Sequence, residues 1–138
     1  MAVVLDTHAV IWYLSGSKEL SPTARLIIQT AERNGDDIFI SAISLVEIVY
    51  LVERGRLPSA ALDRLGEALK DSTRSLAVAP LDTAIAEAMK TIPRDIVPDM
   101  PDRIIAATAA RLDAELVTRD SRLHAAGALR TAGLRIVW

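Results

Sequence analysis

Apolar and polar positions divide this chain into short β-like runs and longer stretches of helical periodicity. Residues 2–5 form a brief, continuous apolar run that reads as a buried strand. Residues 7–14 read as a short helix closed by Ser15-Gly16-Ser17. Ser21-Pro22 starts a second helix, with Ser as cap and Pro at the first helical position, and Asn34-Gly35 ends it. Leu26, Ile27 and Thr30 give that helix its stripe. Residues 38–40 are a second strand, after which Ser41 or Ser44 caps a helix running to Arg54. Pro58 opens a helix reaching Ser72, residues 76–79 form a third strand, and 82–92 are helical up to Pro93. The proline-bearing segment 93–101 is a loop leading into a helix over 103–112. Residues 115–118 and 134–137 complete the set as a fourth and a fifth strand. Short apolar strands alternating with helices predict an α/β fold: three layers, α/β/α, around a mainly parallel sheet of four to five strands. Ligands of such sheets bind beyond the carboxyl ends of the strands, near a switch in strand order.

The acids fall where that geometry makes them interesting. Asp6 directly follows the first strand, and Asp120 follows the fourth. Either is also a good helix cap or turn residue, but two acids at the same end of parallel strands share one edge of the sheet. Glu47 is the only charge within residues 45–52. It reads either as the far half of a capping box with Ser44 or as an acid aimed at the sheet edge by a buried helix. Asp99 and Asp102 bracket Met100-Pro101 at the start of an almost wholly apolar helix, where they would satisfy its first N–H groups. That helix start points at the same edge. His8 lies one turn before Trp12, which favours packing over a role as a base. Trp12 and Tyr50 read as core or subunit-contact residues rather than as a stacking platform. Arg103, Arg119 and Arg122 lie near the acids in sequence, and surface or structural roles are favoured for them over phosphate contacts.

Composition narrows the chemistry. The chain has 138 residues, no cysteine and a formal charge of −2. That length suits one domain, residues 1–138. The absence of cysteine excludes a disulfide framework, a thiolate zinc site and a thiol nucleophile, and makes the cytoplasm the expected compartment. No apolar run is long enough for a membrane span, and the first residues do not read as a signal peptide. The charge balance excludes coating of nucleic acid by a basic field, so any such contact needs a local patch or a bridging cation. Two unit charges 4 Å apart repel by about 4 kcal/mol at an effective dielectric near 20. Four or five converging carboxylates therefore call for a bound cation. With only His8 and His124 as nitrogen donors, the site would be almost all oxygen, which selects Mg²⁺, Mn²⁺ or Ca²⁺. An aspartyl-nucleophile phosphatase would want a second Asp where His8 stands, and a phospho-receiver domain would want a late Lys, whereas lysine occurs only at 18, 70 and 90.

Four blocks together resemble the PIN domain, and more narrowly the VapC-type toxins of bacterial toxin–antitoxin pairs. They are Leu5-Asp6-Thr7-His8-Ala9-Val10-Ile11-Trp12, Ser44-x-x-Glu47, Met100-Pro101-Asp102-Arg103 with the apolar helix after it, and Leu116-Val117-Thr118-Arg119-Asp120. The resemblance implies a Mg²⁺-dependent endoribonuclease, with Mn²⁺ as substitute, that hydrolyses RNA phosphodiester bonds. It implies Asp6, Glu47, Asp102 and Asp120 as the catalytic acids, the three aspartates among them as metal ligands. Asp99, Thr7 and Thr118 match supporting positions. Many relatives carry a histidine shortly before the third acid, where this chain has Ile96-Val97-Pro98. The implied partners are RNA and a cognate antitoxin, with a homodimer as the toxin's state and a heterotetramer or larger assembly with antitoxin. An acidic pocket would invite an Arg or Lys from the antitoxin's tail. The competing expectation is a catalytically silent PIN scaffold serving as a protein- or RNA-interaction module.

Overall fold

The structure is a computed structural model of the chain and describes residues 1–125, 129–130 and 133–138. Five strands form one sheet in the order β3-β2-β1-β4-β5: β1 (Val3–Leu5), β2 (Ile38–Ser41), β3 (Leu76–Ala79), β4 (Glu115–Val117) and β5 (Arg135–Val137). Every pairing is parallel. The chain runs outward from β1 through β2 to β3, then returns to place β4 on the other side of β1. Strand order therefore reverses between β1 and β4, at the point where the carboxyl ends of parallel strands open a crevice.

Two helical layers cover the sheet. Alternation along β1 sends Val3 and Leu5 to one face and Val4 to the other. The Val3/Leu5 face packs against α1 (Thr7–Ser15), α2 (Pro22–Asn34), α3 (Ala42–Glu53) and α4 (Ser59–Lys70) through Val10, Ile28, Ile48 and Leu65. The Val4 face packs against α5 (Thr83–Ala88) and α6 (Met100–Arg111) through Ile85, Ile104 and Ile105, and against α7 (Ser121–Ala125) through Leu123. This is the expected α/β/α arrangement. No helix of the described residues is long and apolar enough to cross a membrane.

Local chemistry explains most boundaries. Asp6 and Ser21 cap α1 and α2 by accepting from the N–H groups of Ala9 and Ala24, and Gly16 and Gly35 end those helices in the left-handed region. Four expectations need correction. Ser41 caps α3, accepting from Ile43 N–H at 3.2 Å, so Ser44 lies inside the helix and forms no capping box. The helix expected over 103–112 begins at Met100, because Asp99 caps it and Pro101 fits its first turn. The helix expected over 82–92 is α5 followed by a 3₁₀ turn at Met89–Thr91. The short α7 adds an element to the expected set.

Candidate functional site

Asp6, Asp102 and Asp120 line one hollow of about 450 Å³ beyond the carboxyl ends of β1 and β4, together with His8, Trp12, Arg119, Ser121 and Arg122. Its two walls follow from the switch in strand order. Asp6 leaves β1 and caps α1: its backbone N–H reaches Val117 carbonyl at 3.1 Å, and its side chain accepts from Ala9 N–H at 2.8 Å. Burial raises its pKa, opposed in part by the hydroxyl of Thr118 and the Ala9 N–H. The acid cap and the pocket acid are thus one side chain.

Asp120 is held by its own loop. Its N–H donates to Thr118 Oγ1 at 3.1 Å, and its carboxylate accepts from Arg122 N–H at 2.9 Å and Arg122 Nη2 at 3.0 Å. The Arg122 side chain foremost holds its pKa below the ordinary value. Thr118 is buried and serves this turn from the end of β4, and His124 Nε2 lies 2.7 Å from Thr118 carbonyl. That histidine contact has no sequence signal beyond its residue type.

Asp102 enters from the first turn of α6. Burial pushes its pKa up to about 6, helped by the charges of Asp99, Asp120 and Glu47 and opposed by Arg122. Asp99 is the helix cap, 3.4 Å from Asp102 N–H. Arg122 Nη2 reaches Asp102 only at 3.5 Å.

Glu47 lines a neighbouring apolar hollow with Val46, Tyr50, Met100 and Pro101, near enough for its charge to raise the pKa of Asp102; His8 borders both spaces. Thr7 donates to Glu47 Oε1 at 2.6 Å and lies 2.9 Å from Ser44 Oγ. A hydroxyl has one proton, so Ser44 donates to Thr7 and Thr7 to Glu47. This relay replaces the capping box. The helix is also less buried than its composition suggests, since Val46, Val49 and Tyr50 are exposed. Tyr50, at 55% exposure, is therefore not a core residue.

Two of the three arginines differ in role from a phosphate grip. Arg103 donates to the carbonyls of Ile92 and Met89, both at 2.9 Å, and fastens α6 to the preceding turn. Arg119 pairs with Glu19 at 2.9 Å while its guanidinium covers Trp12. Arg122 bridges Asp120 and Asp102 and is the one basic group set between two pocket acids among the described residues.

The donor set suits a hard divalent cation: the acids offer oxygen only, and two of them have raised proton affinity. Among the described residues, no three His, Cys, Asp or Glu side chains are gathered tightly enough to form a ready cage. A positive group already lies between two of the acids, as Arg122.

Comparison with known proteins gives this α/β/α sheet, with acids at its switch point, a family. The PIN domain family matches residues 3–129, and the chain belongs to it. The chain is 33% identical over 124 residues to Ribonuclease VapC22 of Mycobacterium tuberculosis (strain ATCC 25618 / H37Rv), covering 88% of this chain and 89% of that protein. Among solved structures, VapBC2 from Rickettsia felis bound to a DNA fragment from their promoter aligns with a TM-score of 0.71 at 18% identity, covering 99% of this chain and 98% of that one. A toxin–antitoxin complex from Klebsiella pneumoniae aligns with a TM-score of 0.67 at 21% identity, covering 99% and 96%. At those identities the structures speak for the shared fold.

Proposed function

We propose that this chain, residues 1–138, is one nuclease domain: a divalent-cation-dependent endoribonuclease and the toxin of a toxin–antitoxin pair acting in the cytoplasm. The observation that carries the reading is that Asp6, Asp102 and Asp120 line one hollow, in which burial and neighbouring acids hold the pKa of Asp102 at about 6. The likeness to a protein named Ribonuclease VapC22 supports RNA as the substrate.

In this reading Asp6, Asp102 and Asp120 hold Mg²⁺, or Mn²⁺ in its place. The bound ion supplies Lewis-acid stabilisation of the phosphate and a more acidic water. Asp6 works from a rigid strand end, and Thr118 steadies both Asp6 and the Asp120 turn. Asp99 fixes the start of α6 and with it Asp102. Glu47, oriented by Thr7, positions water at the rim. Arg122 has two states to choose from: across Asp120 and Asp102, or turned to a substrate phosphate.

The antitoxin is proposed to quiet the site by placing an Arg or Lys near Asp6 and Asp120, a basic group beside the one that Arg122 sets across Asp120 and Asp102. Val46, Val49, Tyr50 and Met100 form an exposed apolar stretch that we assign to a homodimer contact, with a heterotetramer or larger assembly on antitoxin binding.

RNA cleavage should require Mg²⁺ or Mn²⁺, stop with EDTA, and fall in Asp6→Asn by more than the roughly 10–100-fold typical of losing an outer-shell partner. Cleavage that persists in EDTA would remove the metal from the reading. No cleavage of any RNA by the folded, antitoxin-free chain would leave the silent interaction module.

A further inference from the structure

Trp12 is in an unusual place for a residue expected to serve packing. Its indole is only half-buried and forms part of the wall of the acid hollow. Three neighbours set its orientation. The His8 ring lies 5.4 Å away, tilted by 43°; the Trp138 ring meets it edge-on at 5.8 Å; and Arg119 Cζ sits 4.6 Å above its centre. A fixed aromatic ring loses little conformational entropy when a second ring is laid on it. The Arg119 cover is the weak part of the arrangement. Its anchor is an ion pair with Glu19 in which both side chains are more than half exposed, and such pairs contribute little.

We propose that Trp12 is a base-stacking platform for an unpaired nucleotide of the RNA substrate, with Arg119 as its movable cover. The proposal rests on the ribonuclease reading and adds a positioning residue to it. RNA entering an acidic hollow brings phosphates, which need the cation and nearby guanidinium groups, and bases, which need an apolar face. Trp12 is the large aromatic side chain that lines the hollow together with the three aspartates. A base within a duplex is already stacked on both sides, so only an unpaired or extruded base can reach it. When the base arrives, Arg119 either lies on its outer face, as guanidinium planes do on bases, or swings to a phosphate. Aromatic stacking tolerates any base, so Trp12 selects for single-strandedness at the cut site and not for sequence.

The test is a cycle of protein and RNA changes, made on an Asp6→Asn background so that the RNA stays whole. A labelled single-stranded oligoribonucleotide is compared with versions carrying one abasic ribose at successive positions. With Trp12 present, one abasic position should weaken binding about tenfold, within the range of a single base–aromatic stack. In Trp12→Leu the intact oligonucleotide should bind about tenfold more weakly, and that position should lose its abasic penalty. Trp12→Phe should restore both. In cleavage with Asp6 present, Trp12→Leu should raise KM with little change in kcat.

A second readout covers failure of Trp12→Leu to fold. In Trp138→Phe, Trp12 is the remaining tryptophan, and its fluorescence should be quenched by the intact oligonucleotide and not by the abasic one. Equal binding of every probe with and without the Trp12→Leu substitution would overturn the proposal, as would quenching by an arginine-rich peptide but not by RNA. Stacking without cleavage would sink the ribonuclease reading alone. Cleavage indifferent to Trp12→Leu would sink the platform alone.

Discussion

Two aspartates share one arginine that lowers the proton affinity of both, yet their pKa values depart from the ordinary one in opposite directions. Asp120, in the loop after β4, receives three groups of Arg122: the backbone N–H at 2.9 Å, Nη2 at 3.0 Å and Nε at 3.3 Å. Its pKa lies below the ordinary value. Asp102, at the start of α6, touches the same guanidinium only at 3.5 Å and has a pKa of about 6. Arg122 is two residues from Asp120 and twenty from Asp102, so the loop serves its own acid first. The carboxylates lining the hollow are therefore not equivalent. Asp120 is satisfied by the protein, whereas Asp102 is short of positive charge.

The largest effect should come from removing each charge separately. Asp102→Asn and Asp120→Asn should both abolish most RNA cleavage, yet move the stability of the metal-free protein in opposite directions. Asp102→Asn removes a carboxylate that burial and three like charges destabilise. It should raise stability at about pH 7.5 by about 1–2 kcal/mol, after discounting for partial exposure. Asp120→Asn weakens the bonds that hold the loop, above all the one from Arg122 N–H, and should lower stability slightly, since the guanidinium part of the pair is open to solvent. Urea unfolding of both variants in EDTA checks the pair of signs; equal signs would erase the distinction. Saturating Mn²⁺ should reverse the ranking, raising the unsubstituted protein's melting temperature and leaving Asp102→Asn nearly unmoved.

A smaller effect appears in the pH dependence. Asp102 holds its proton in the folded state up to about pH 6, whereas in the unfolded chain it loses it near 3.9. Between those values the folded state binds more protons, so this group's contribution to stability falls as pH rises from about 4 to 6 and is level above. Asp6, also raised, acts with the same sign. Asp120, lowered, contributes stability that is present above its unfolded pKa and is lost only below about pH 4. The stability difference between Asp102→Asn and the unsubstituted protein, measured in EDTA, should therefore grow across about pH 4–6 and hold steady from there to about pH 8. A difference that is flat across that range would mean Asp102 has an ordinary pKa.

Much of this is legible in the sequence because it is local. An acid directly after an apolar run, as Asp6 is, or a turn beyond one, as Asp120 is, marks a strand end, which places both on the same edge of the sheet. The apolar run after Asp102 announces a buried helix, and residues 104–109 are buried throughout. What escapes is what spans distance or lacks length. The Thr7–Glu47 bond joins residues forty apart, so Ser44-x-x-Glu47 looks like a capping box when it is the far end of a relay. Met100-Pro101 reads as loop because proline usually breaks helices, although it suits a first turn. Five residues are too few for helical periodicity to show, which hides α7. Trp12 looks like packing because α1 with the Glu19 anchor, the Arg119 cover and Trp138 come from three separated parts of the chain.

The finest test changes the arginine that the two acids share. Arg122 is 60% exposed, and pairs so open to solvent contribute little to folding. Arg122→Gln should therefore leave metal-free urea unfolding almost where it was and keep the turn, because the backbone N–H bond to Asp120 remains. Its effect on cation binding should be plain by contrast. With the guanidinium gone, Mn²⁺ meets no competitor between Asp120 and Asp102, and its affinity measured by calorimetry should rise several-fold. RNA should respond the other way, because a side chain that turns to the phosphate has been lost. A variant that binds Mn²⁺ more tightly and RNA more weakly would show Arg122 exchanging places with the metal. One that binds Mn²⁺ more weakly would mean that Arg122 builds the site by holding Asp120 in place, and the contrast between the two acids would then reflect loop geometry rather than a shortage of positive charge.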